Sequence, residues 1–399
     1  MQQTPSKYHP DENDLERLAI INTHAIGHNV QTIRKNIGNR TLIAIIKADA
    51  YGHGAVPVAK TVLEAGADIL GVVHVSEALK LREAGIEAPL IAWLHTPRTP
   101  FKAAIAHNVQ LGSSGWDLEY IAQAAEQLNK TAHVHLKIDT GLGRNGCTPD
   151  QWETFFVRAK KYQDQGLINV CGIFSHLAVA DEPQRITETQ QQLTNFSDAI
   201  QQAQTLGLHP KYIHLANTPG TLCAGEGLYE QELLGNTVRV GLGLYGLSPI
   251  DGKTSQELGL QPAMTLQTYI SAVKEVPAGQ GVSYGLNYRT SQPTTLALIP
   301  MGYADGIPRI AQNAPVRIYR EGYPAQNHTV VGRIAMDQMV IDLGQAGLSE
   351  DKHGYLDARV VIFGDGENPP VEAWADAAQT INYEIVTRIS ARVPRVYRP

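Results

Sequence analysis

The chain has 399 residues, 43% hydrophobic and 18% charged, with 36 Gly, 22 Pro and a formal net charge of -6. At this length folding can bury about three-quarters of the unfolded surface, so a large core needs no disulfide or metal staples. The mild acidity argues against a nucleic-acid or anionic-membrane surface as the main partner. Cys147, Cys171 and Cys223 lie too far apart for metal-ligand spacing or an even-numbered disulfide frame, which fits a reducing compartment. The opening stretch MQQTPSKYHPDENDLERL lacks the apolar core of a signal peptide, and no apolar run of about 18 residues comes after it, so a cytoplasmic protein is expected.

In chain order, a short apolar run at Arg17–Asn22 precedes a helical stretch at His24–Ile37. This first run has no obvious slot in the repeating pattern that begins near residue 40, and it is expected to join a later β domain. That pattern recurs to about residue 245: an apolar, β-branched run, a polar or glycine-rich turn, and a helical stretch. The runs are Leu42–Ala48, Ile69–Val75, Leu90–Leu94, Val109–Gly112, His133–Ile138, Asn169–Ser175, Tyr212–Ala216 and Thr237–Gly241. Helical segments between them include Gly54–Glu64, Ser76–Glu83, Trp116–Leu128, Thr148–Lys161, Thr187–Leu206 and a short one after Thr218. Continuous apolar runs, rather than alternating ones, imply strands covered on both faces. Eight such units predict an α/β fold with a parallel (β/α)8 TIM-type barrel; an open doubly wound sheet is the alternative. The glutamine-rich stretch around Gln190–Gln204 reads as a solvated helix face.

After Gly246 the helical periodicity fades. Short runs at Thr265–Val276, Thr295–Pro300, Val316–Tyr319, Thr329–Val331, Gln338–Asp342 and Arg359–Phe363, punctuated by Gly and Pro, predict a mainly antiparallel β domain. Glu372–Ile381 reads as one late helix, and Arg388, Arg392, Arg395 and Arg398 as a solvated end. The expected division is residues 1–22 pairing with the β domain, 23–255 as the barrel, and 256–399 as the β domain.

Reactive groups of such barrels collect at the carboxyl ends of the strands. Those ends hold Lys47, Arg144, His176, Asn217–Thr218 and Arg239. A lysine closing the apolar run LIAIIK either snorkels into solvent or, with a lowered pKa, forms a covalent imine. The loop ANTPGT, in which Thr218 can cap a helix, turns backbone N–H groups toward an anion. Gly241 and Gly243 in VGLGLYG permit close backbone approach. Each loop alone is a weak signal; with the lysine they suggest a phosphorylated aldehyde cofactor, pyridoxal 5'-phosphate.

A resemblance is carried by many segments at once. IKADAYGHG (46–54) resembles the cofactor-attachment motif of alanine racemases. It is succeeded in family order by HLKIDTGLGRNG (135–146), FSHLAVAD (174–181), HLANT (214–218), RVGLGLYG (239–246), VSYGLNY (282–288), GYADGIPR (302–309), GRIAMDQM (332–339) and INYE (381–384). The resemblance implies that Lys47 holds the cofactor as an aldimine and serves as one catalytic base. Tyr284 would be the second, reaching the barrel of the partner subunit in an obligate homodimer. Racemisation removes the α-proton on one side and returns one on the other, so two bases are needed. Free Lys and Tyr have pKa values near 10, and Arg144 and His176 are the charges available to lower them.

The resemblance further places Arg144 beside Tyr284 and the substrate carboxylate, His176 against the pyridine ring, and Arg239 at the ring nitrogen. It nominates Tyr51, Thr218, Gly241, Leu242 and Tyr383 for the phosphate, with Asn217 in support. Thr218 stands where serine is commoner in the family. Met336 would offer a backbone N–H to the substrate carboxylate, Asp337 would position neighbours, and Tyr303 would narrow the entrance, favouring alanine. Lys137 matches a lysine often carbamylated in the family, where the carbamate holds Arg144; pairing with Asp139 is the alternative. The implied role is L-/D-alanine interconversion, supplying D-alanine for peptidoglycan, with no metal.

Two other classes compete. HVHLKID, with His133, His135, Lys137 and Asp139 on one strand face, also suits a metal-dependent hydrolase. Its histidines fall early on the strand, however, and the eighth strand ends in Arg239 rather than a ligating aspartate. A non-catalytic cofactor-binding barrel would need neither a second base nor a β domain.

Overall fold

The structure is a computed structural model, and it describes residues 15–225, 227, 235–347 and 354–399. Residues 1–14 of the expected N-terminal segment lie outside the described residues. The described chain forms two compact units, one spanning His24–Gln261 and the other joining the residues up to Thr23 to Pro262–Pro399. Among the described residues no helix is long and apolar enough to cross a membrane.

The first strand, β1 (Arg17–Asn22), belongs to the second unit. The other unit is the barrel, built from β2 (Thr41–Ile45), β3 (Ile69–Val72), β4 (Leu90–Ala92), β5 (Gln110–Ser113), β6 (Ala132–Lys137), β7 (Ile168–Phe174), β8 (Tyr212–His214) and β9 (Thr237–Val240). All pair in parallel, in the order β8-β7-β6-β5-β4-β3-β2-β9. The predicted eight-stranded architecture is therefore present, and every residue of β3, β4 and β9 is buried, as strands covered on both faces require.

The seam between β8 and β9 is stitched by a side chain. Asn236 Oδ1 accepts from Ile213 N–H (2.8 Å), its Nδ2 donates to Lys211 O (2.8 Å), and Arg239 N–H donates to Ala216 O (3.0 Å). Helices wrap the barrel by burying one stripe. Leu118–Leu128, for example, buries Leu118, Ile121, Ala122 and Ala125 at helical spacing.

The second unit is a nine-stranded sheet in the order β11-β14-β17-β16-β15-β18-β10-β1-β19, with a separate two-stranded ribbon, β12-β13. The strands are β10 (Met264–Tyr269), β11 (Ala272–Val276), β12 (Gly281–Val282), β13 (Tyr288–Arg289), β14 (Thr294–Ile299), β15 (Pro315–Tyr319), β16 (Gln326–Val331), β17 (Met339–Asp342), β18 (Arg359–Phe363) and β19 (Arg395–Arg398). Pairing in the large sheet is antiparallel except between β1 and β19. Thr265–Val276, expected as one run, is broken at Ile270–Ser271 into β10 and β11, which occupy distant places in the sheet. The late helix expected at Glu372–Ile381 is Val371–Ala378, ended where Gln379 turns left-handed (φ 54°), and a further helix, Asn382–Thr387, lies beyond the expected range.

Two expectations about polar stretches hold with exceptions: Gln190, Gln191, Gln201 and Gln204 are exposed, as are Arg388, Arg392 and Arg398. The C-terminal segment is nonetheless tied down: β19 pairs with β1, half-buried Arg395 donates to the carbonyls of Ile389, Ser390 and Val393, and Arg392 meets Asp305 and Asp337. Within the glutamine-rich helix, Gln192 is buried and faces inward. Its Oε1 accepts from Ala178 N–H (2.8 Å), while its Nε2 donates to His176 O (3.0 Å) and Thr140 Oγ1 (3.3 Å). A buried amide survives there because its hydrogen-bonding capacity is used.

Candidate active site

Lys47 follows β2 and leads into a turn that the sequence pattern does not suggest. Ala48, Asp49, Ala50 and Tyr51 all adopt left-handed backbone (φ 52°, 53°, 54° and 54°). Each such L-residue costs roughly 1–2 kcal/mol, so the surroundings must impose the turn. Ala50 N–H donates to Ile46 O (2.9 Å) and Gly52 N–H to Ala48 O (3.0 Å). The Glu77 carboxylate, from the next barrel unit, accepts from Ala48 N–H (2.7 Å), Val73 N–H and His74 N–H (2.9 Å each). Asp49 Oδ1 accepts from Ala55 N–H (2.7 Å).

The turn sets Lys47 Nζ 5.9 Å from the centre of the Tyr51 ring. Among the described residues no group accepts a hydrogen bond from Nζ or pairs with it. Burial lowers the Lys47 pKa most, the Arg144 charge lowers it further, and Glu77 opposes them.

Arg239 lies at the end of β9, buried, with its guanidinium over the Phe174 ring at 5.5 Å. Nη1 donates to His214 O (2.7 Å) and His214 Nδ1 (3.1 Å). Nη2 reaches Ser175 O (2.5 Å), Leu215 O (3.1 Å) and His176 Nδ1 (3.2 Å). Among the described residues only Nε–H has no acceptor. Burial pushes the Arg239 pKa down to about 9, which leaves the group charged at neutral pH.

His176 contributes differently from the expectation. Burial, then the charges of Arg239 and Arg144, hold its pKa well below the ordinary histidine value. It is uncharged at neutrality, so the cations that bear on Lys47 are Arg144 and Arg239.

Beside Lys47 lies a cradle of small groups. Asn217, not Thr218, caps the helix Thr218–Gly225: its Oδ1 accepts from Gly220 N–H (3.2 Å) and its carbonyl from Thr221 N–H (2.9 Å). Thr218, at the first helical position, instead accepts from Gly241 N–H through Oγ1 (3.0 Å). A Cβ on Gly241 would lie 2.4 Å from Tyr51 Oη, so only glycine lets that hydroxyl approach the loop. Among the described residues the N–H groups of Leu242 and Gly243 have no acceptor.

Lys137, ending β6, is buried with Nζ 5.8 Å from the Phe174 ring centre. Burial, then Arg239 and Arg144, push its pKa down to about 8, against the pull of Asp139. Asp139 itself accepts from Gly141 N–H (2.9 Å) and Gly143 N–H (3.2 Å), shaping the loop that carries exposed Arg144. Of the histidines weighed as metal ligands, His133 is exposed. His135 is engaged through both ring nitrogens, with His214 Nε2 at 2.9 Å and Gln110 Oε1 at 2.7 Å.

Tyr284, Tyr303, Met336, Asp337 and Tyr383 belong to the other unit. There Tyr284 (71% exposed) follows Ser283, whose Oγ donates to Arg333 O (2.5 Å). Tyr303 N–H donates to Ala335 O (3.1 Å) and Ala304 N–H to Met336 O (2.9 Å), which ties the GYADG and AMDQ turns together. Arg392 pairs with Asp337 (2.9 Å) and approaches Asp305, whose Oδ2 accepts from Gly302 N–H (2.9 Å). Tyr383 lies in the first turn of Asn382–Thr387. Sequence reasoning missed Glu77, Gln110, His135, Gln192 and His214 as residues that hold the others; His135 and His214 do stand inside the quoted motifs.

Known proteins resemble this chain over both units. The family model for the alanine racemase N-terminal domain matches residues 21–249, and that for the C-terminal domain matches residues 263–397. The chain belongs to the alanine racemase family. An alanine racemase of Frankia casuarinae is 43% identical over 97% of this chain and 98% of its own length, and one of Thermobifida fusca is 41% identical over 95% and 97%. Among solved structures, the alanine racemase of a D-cycloserine-producing Streptomyces lavendulae superposes with TM-score 0.90 at 43% identity, covering 98% of both chains. That of Streptomyces coelicolor A3(2) gives 0.89 at 42%, covering 97% and 99%. Membership of this family makes the chain an amino-acid racemase, an isomerase of a pyridoxal-phosphate-dependent family.

Proposed function

We propose that this alanine racemase family member interconverts L- and D-alanine by a two-base mechanism and supplies D-alanine for peptidoglycan. It does so as a cytoplasmic homodimer in which each site draws on both subunits. The residues present fit pyridoxal 5'-phosphate. Among the described residues Lys47 offers an unengaged amine and Arg239 a single open N–H, and Thr218, Leu242 and Gly243 offer donors around a space that glycine keeps clear. When bound, the cofactor withdraws the electrons left behind as the α-proton departs.

In this reading Lys47 carries the cofactor and moves a proton at Nζ on one face. Tyr284 Oη of the partner subunit moves one on the other. Arg144 and the Met336 N–H hold the substrate carboxylate. Tyr51, Thr218, Gly241, Leu242 and Tyr383 hold the phosphate, and Asn217 keeps Thr218 at the head of its helix. His176 lies against the ring. Arg239 donates to the ring nitrogen without surrendering its proton, as arginine does, which limits electron withdrawal and with it misplaced reprotonation. Tyr303 narrows the entrance, Asp337 is held by Arg392, and a carbamate on Lys137 restrains Arg144.

The observation that carries the reading is Lys47 itself. It is an amine without a partner among the described residues, lowered in pKa by burial and Arg144, and joined to a turn that costs backbone energy. The test is to reduce the purified protein with borohydride in the presence of pyridoxal phosphate and map the product by peptide mass. Phosphopyridoxyl on the Lys47 peptide, with α-proton exchange on both alanine enantiomers, is expected. Label elsewhere, or none, overturns the reading.

A further inference from the structure

Arg239 is held by more than carbonyls. From it a line of side chains crosses the barrel interior: His214 on β8, His135 on β6 and Gln110 on β5. The contacts are 3.1 Å from Arg239 Nη1 to His214 Nδ1, 2.9 Å from His214 Nε2 to His135 Nδ1, and 2.7 Å from His135 Nε2 to Gln110 Oε1. Both histidines are fully buried.

The chemistry of the end group sets the direction of the line. A guanidinium only donates, so His214 Nδ1 must accept, which leaves the proton of a neutral ring on Nε2. That N–H donates to His135 Nδ1, which must accept in turn and so puts the second ring's proton on Nε2 as well. An acceptor is then required beyond it, and the Gln110 carbonyl oxygen stands there. Both rings are neutral: burial and nearby charge hold His135 down at about 3 and His214 well below the ordinary range. Packing fixes the ring planes. His135 stacks on Tyr212 (centroids 5.7 Å, 9° between planes) and His214 on Phe174 (4.8 Å, 2°).

We propose that Gln110 and His135 are positioning residues, and that their one-way hydrogen-bond relay fixes His214 as an acceptor and so aims Arg239. The proposal rests on the proposed function, in which Arg239 Nε–H serves the cofactor ring. A donor at position 110 would reverse the relay. His135 Nε2 would have to accept, His214 would carry its proton on Nδ1, and that N–H would face the Arg239 N–H. Two donors at that separation repel, and the guanidinium would turn, taking Nε with it.

The experiment has two parts, both on the holoenzyme. Long-range proton–nitrogen NMR of histidine-labelled protein, assigned with His135→Gln and His214→Gln, should show both rings as the Nε2–H form through neutral pH. A Nδ1–H form in either ring overturns the proposal, and this readout requires no Gln110 variant to fold. Kinetics then compare Gln110→Lys with Gln110→Glu. The lysine variant should lose roughly tenfold to a hundredfold in kcat, with KM for alanine little changed. The glutamate variant, which restores an acceptor, should stay within about threefold of wild type. Equal effects of the two overturn the relay. Arg239→Lys separates the two levels of inference. If it lowers kcat and Gln110→Lys does not, only the relay fails. If Arg239→Lys also leaves kcat and the cofactor absorption band unchanged, the reading of Arg239 has failed.

Discussion

Gly172 stands directly across the β6–β7 ladder from His135, and a Cβ on it would lie 2.0 Å from His135 Nδ1. The ladder slips register between Val134 and His135, which brings the histidine opposite the one residue that leaves room for its ring. Gly172→Ala should therefore cost about 1–3 kcal/mol through overpacking, read as a lower urea midpoint at unchanged slope. In a His135→Ala background the same change should cost far less, with a coupling of about 1 kcal/mol or more. Additive effects would show that the glycine serves some other purpose.

Gln192 ties the loop after β7 to Thr140, in the loop after β6. Gln192→Leu would leave the Ala178 N–H and the His176 carbonyl unsatisfied, each at about 1–3 kcal/mol. We expect a stability loss of about 2 kcal/mol or more and faster hydrogen exchange at the Ala178 amide. Gln192→Glu keeps the acceptor for Ala178 but loses both donors, so it should fall between. If Gln192→Leu exchanges at Ala178 as slowly as wild type, the clamp is not what holds this loop.

These residues show where legibility in the sequence ends. The barrel strands were readable because strands buried on both faces are written as unbroken apolar runs, and helix stripes because their period is local. The turn after Lys47 was not, since Ala and Tyr carry no preference for positive φ and a single Asp is a weak signal for it; it is held by Glu77, 29 residues on. Gln192 hid among solvated glutamines because side-chain identity does not reveal burial when polar capacity is satisfied. Gln110, His135 and His214 are separated by 25 and 79 residues, so only the closed barrel brings them together. The motifs supplied names for site residues, but not the charge state of His176, which burial sets.

Lys137 makes a prediction about pH. With its pKa near 8, about half of this amine is neutral at pH 8 and about one per cent at pH 6, and only the neutral amine adds carbon dioxide. Labelled bicarbonate should give a carbon NMR carbamate signal that grows above pH 8, fades below pH 7 and is absent from Lys137→Ala. No signal at pH 9 would leave Lys137 an unmodified lysine. The sign of the stability effect is a separate matter. The folded pKa lies below the ordinary 10.5, so between about 8 and 10.5 the unfolded chain binds the extra proton. In buffer free of carbon dioxide this group should make stability rise with pH across that window, and Lys137→Met should abolish that increment.

The sharing of sites between subunits can be tested by complementation. Lys47 lies in the barrel unit and Tyr284, 71% exposed, in the other. If each site takes Lys47 from one subunit and Tyr284 from its partner, Lys47→Ala and Tyr284→Phe homodimers are both impaired. A mixed dimer, however, collects both substitutions in one site and leaves the second intact. Random mixing makes half of the dimers mixed, so coexpression of the two variants should recover about a quarter of the wild-type activity per site. Tyr284→Phe alone should lose about 10²–10⁴-fold in racemisation while still accepting the borohydride label on Lys47. If mixing restores nothing although differently tagged subunits copurify, both bases come from one chain and the shared-site assignment is wrong. Full racemisation by Tyr284→Phe would instead remove Tyr284 from the pair of bases.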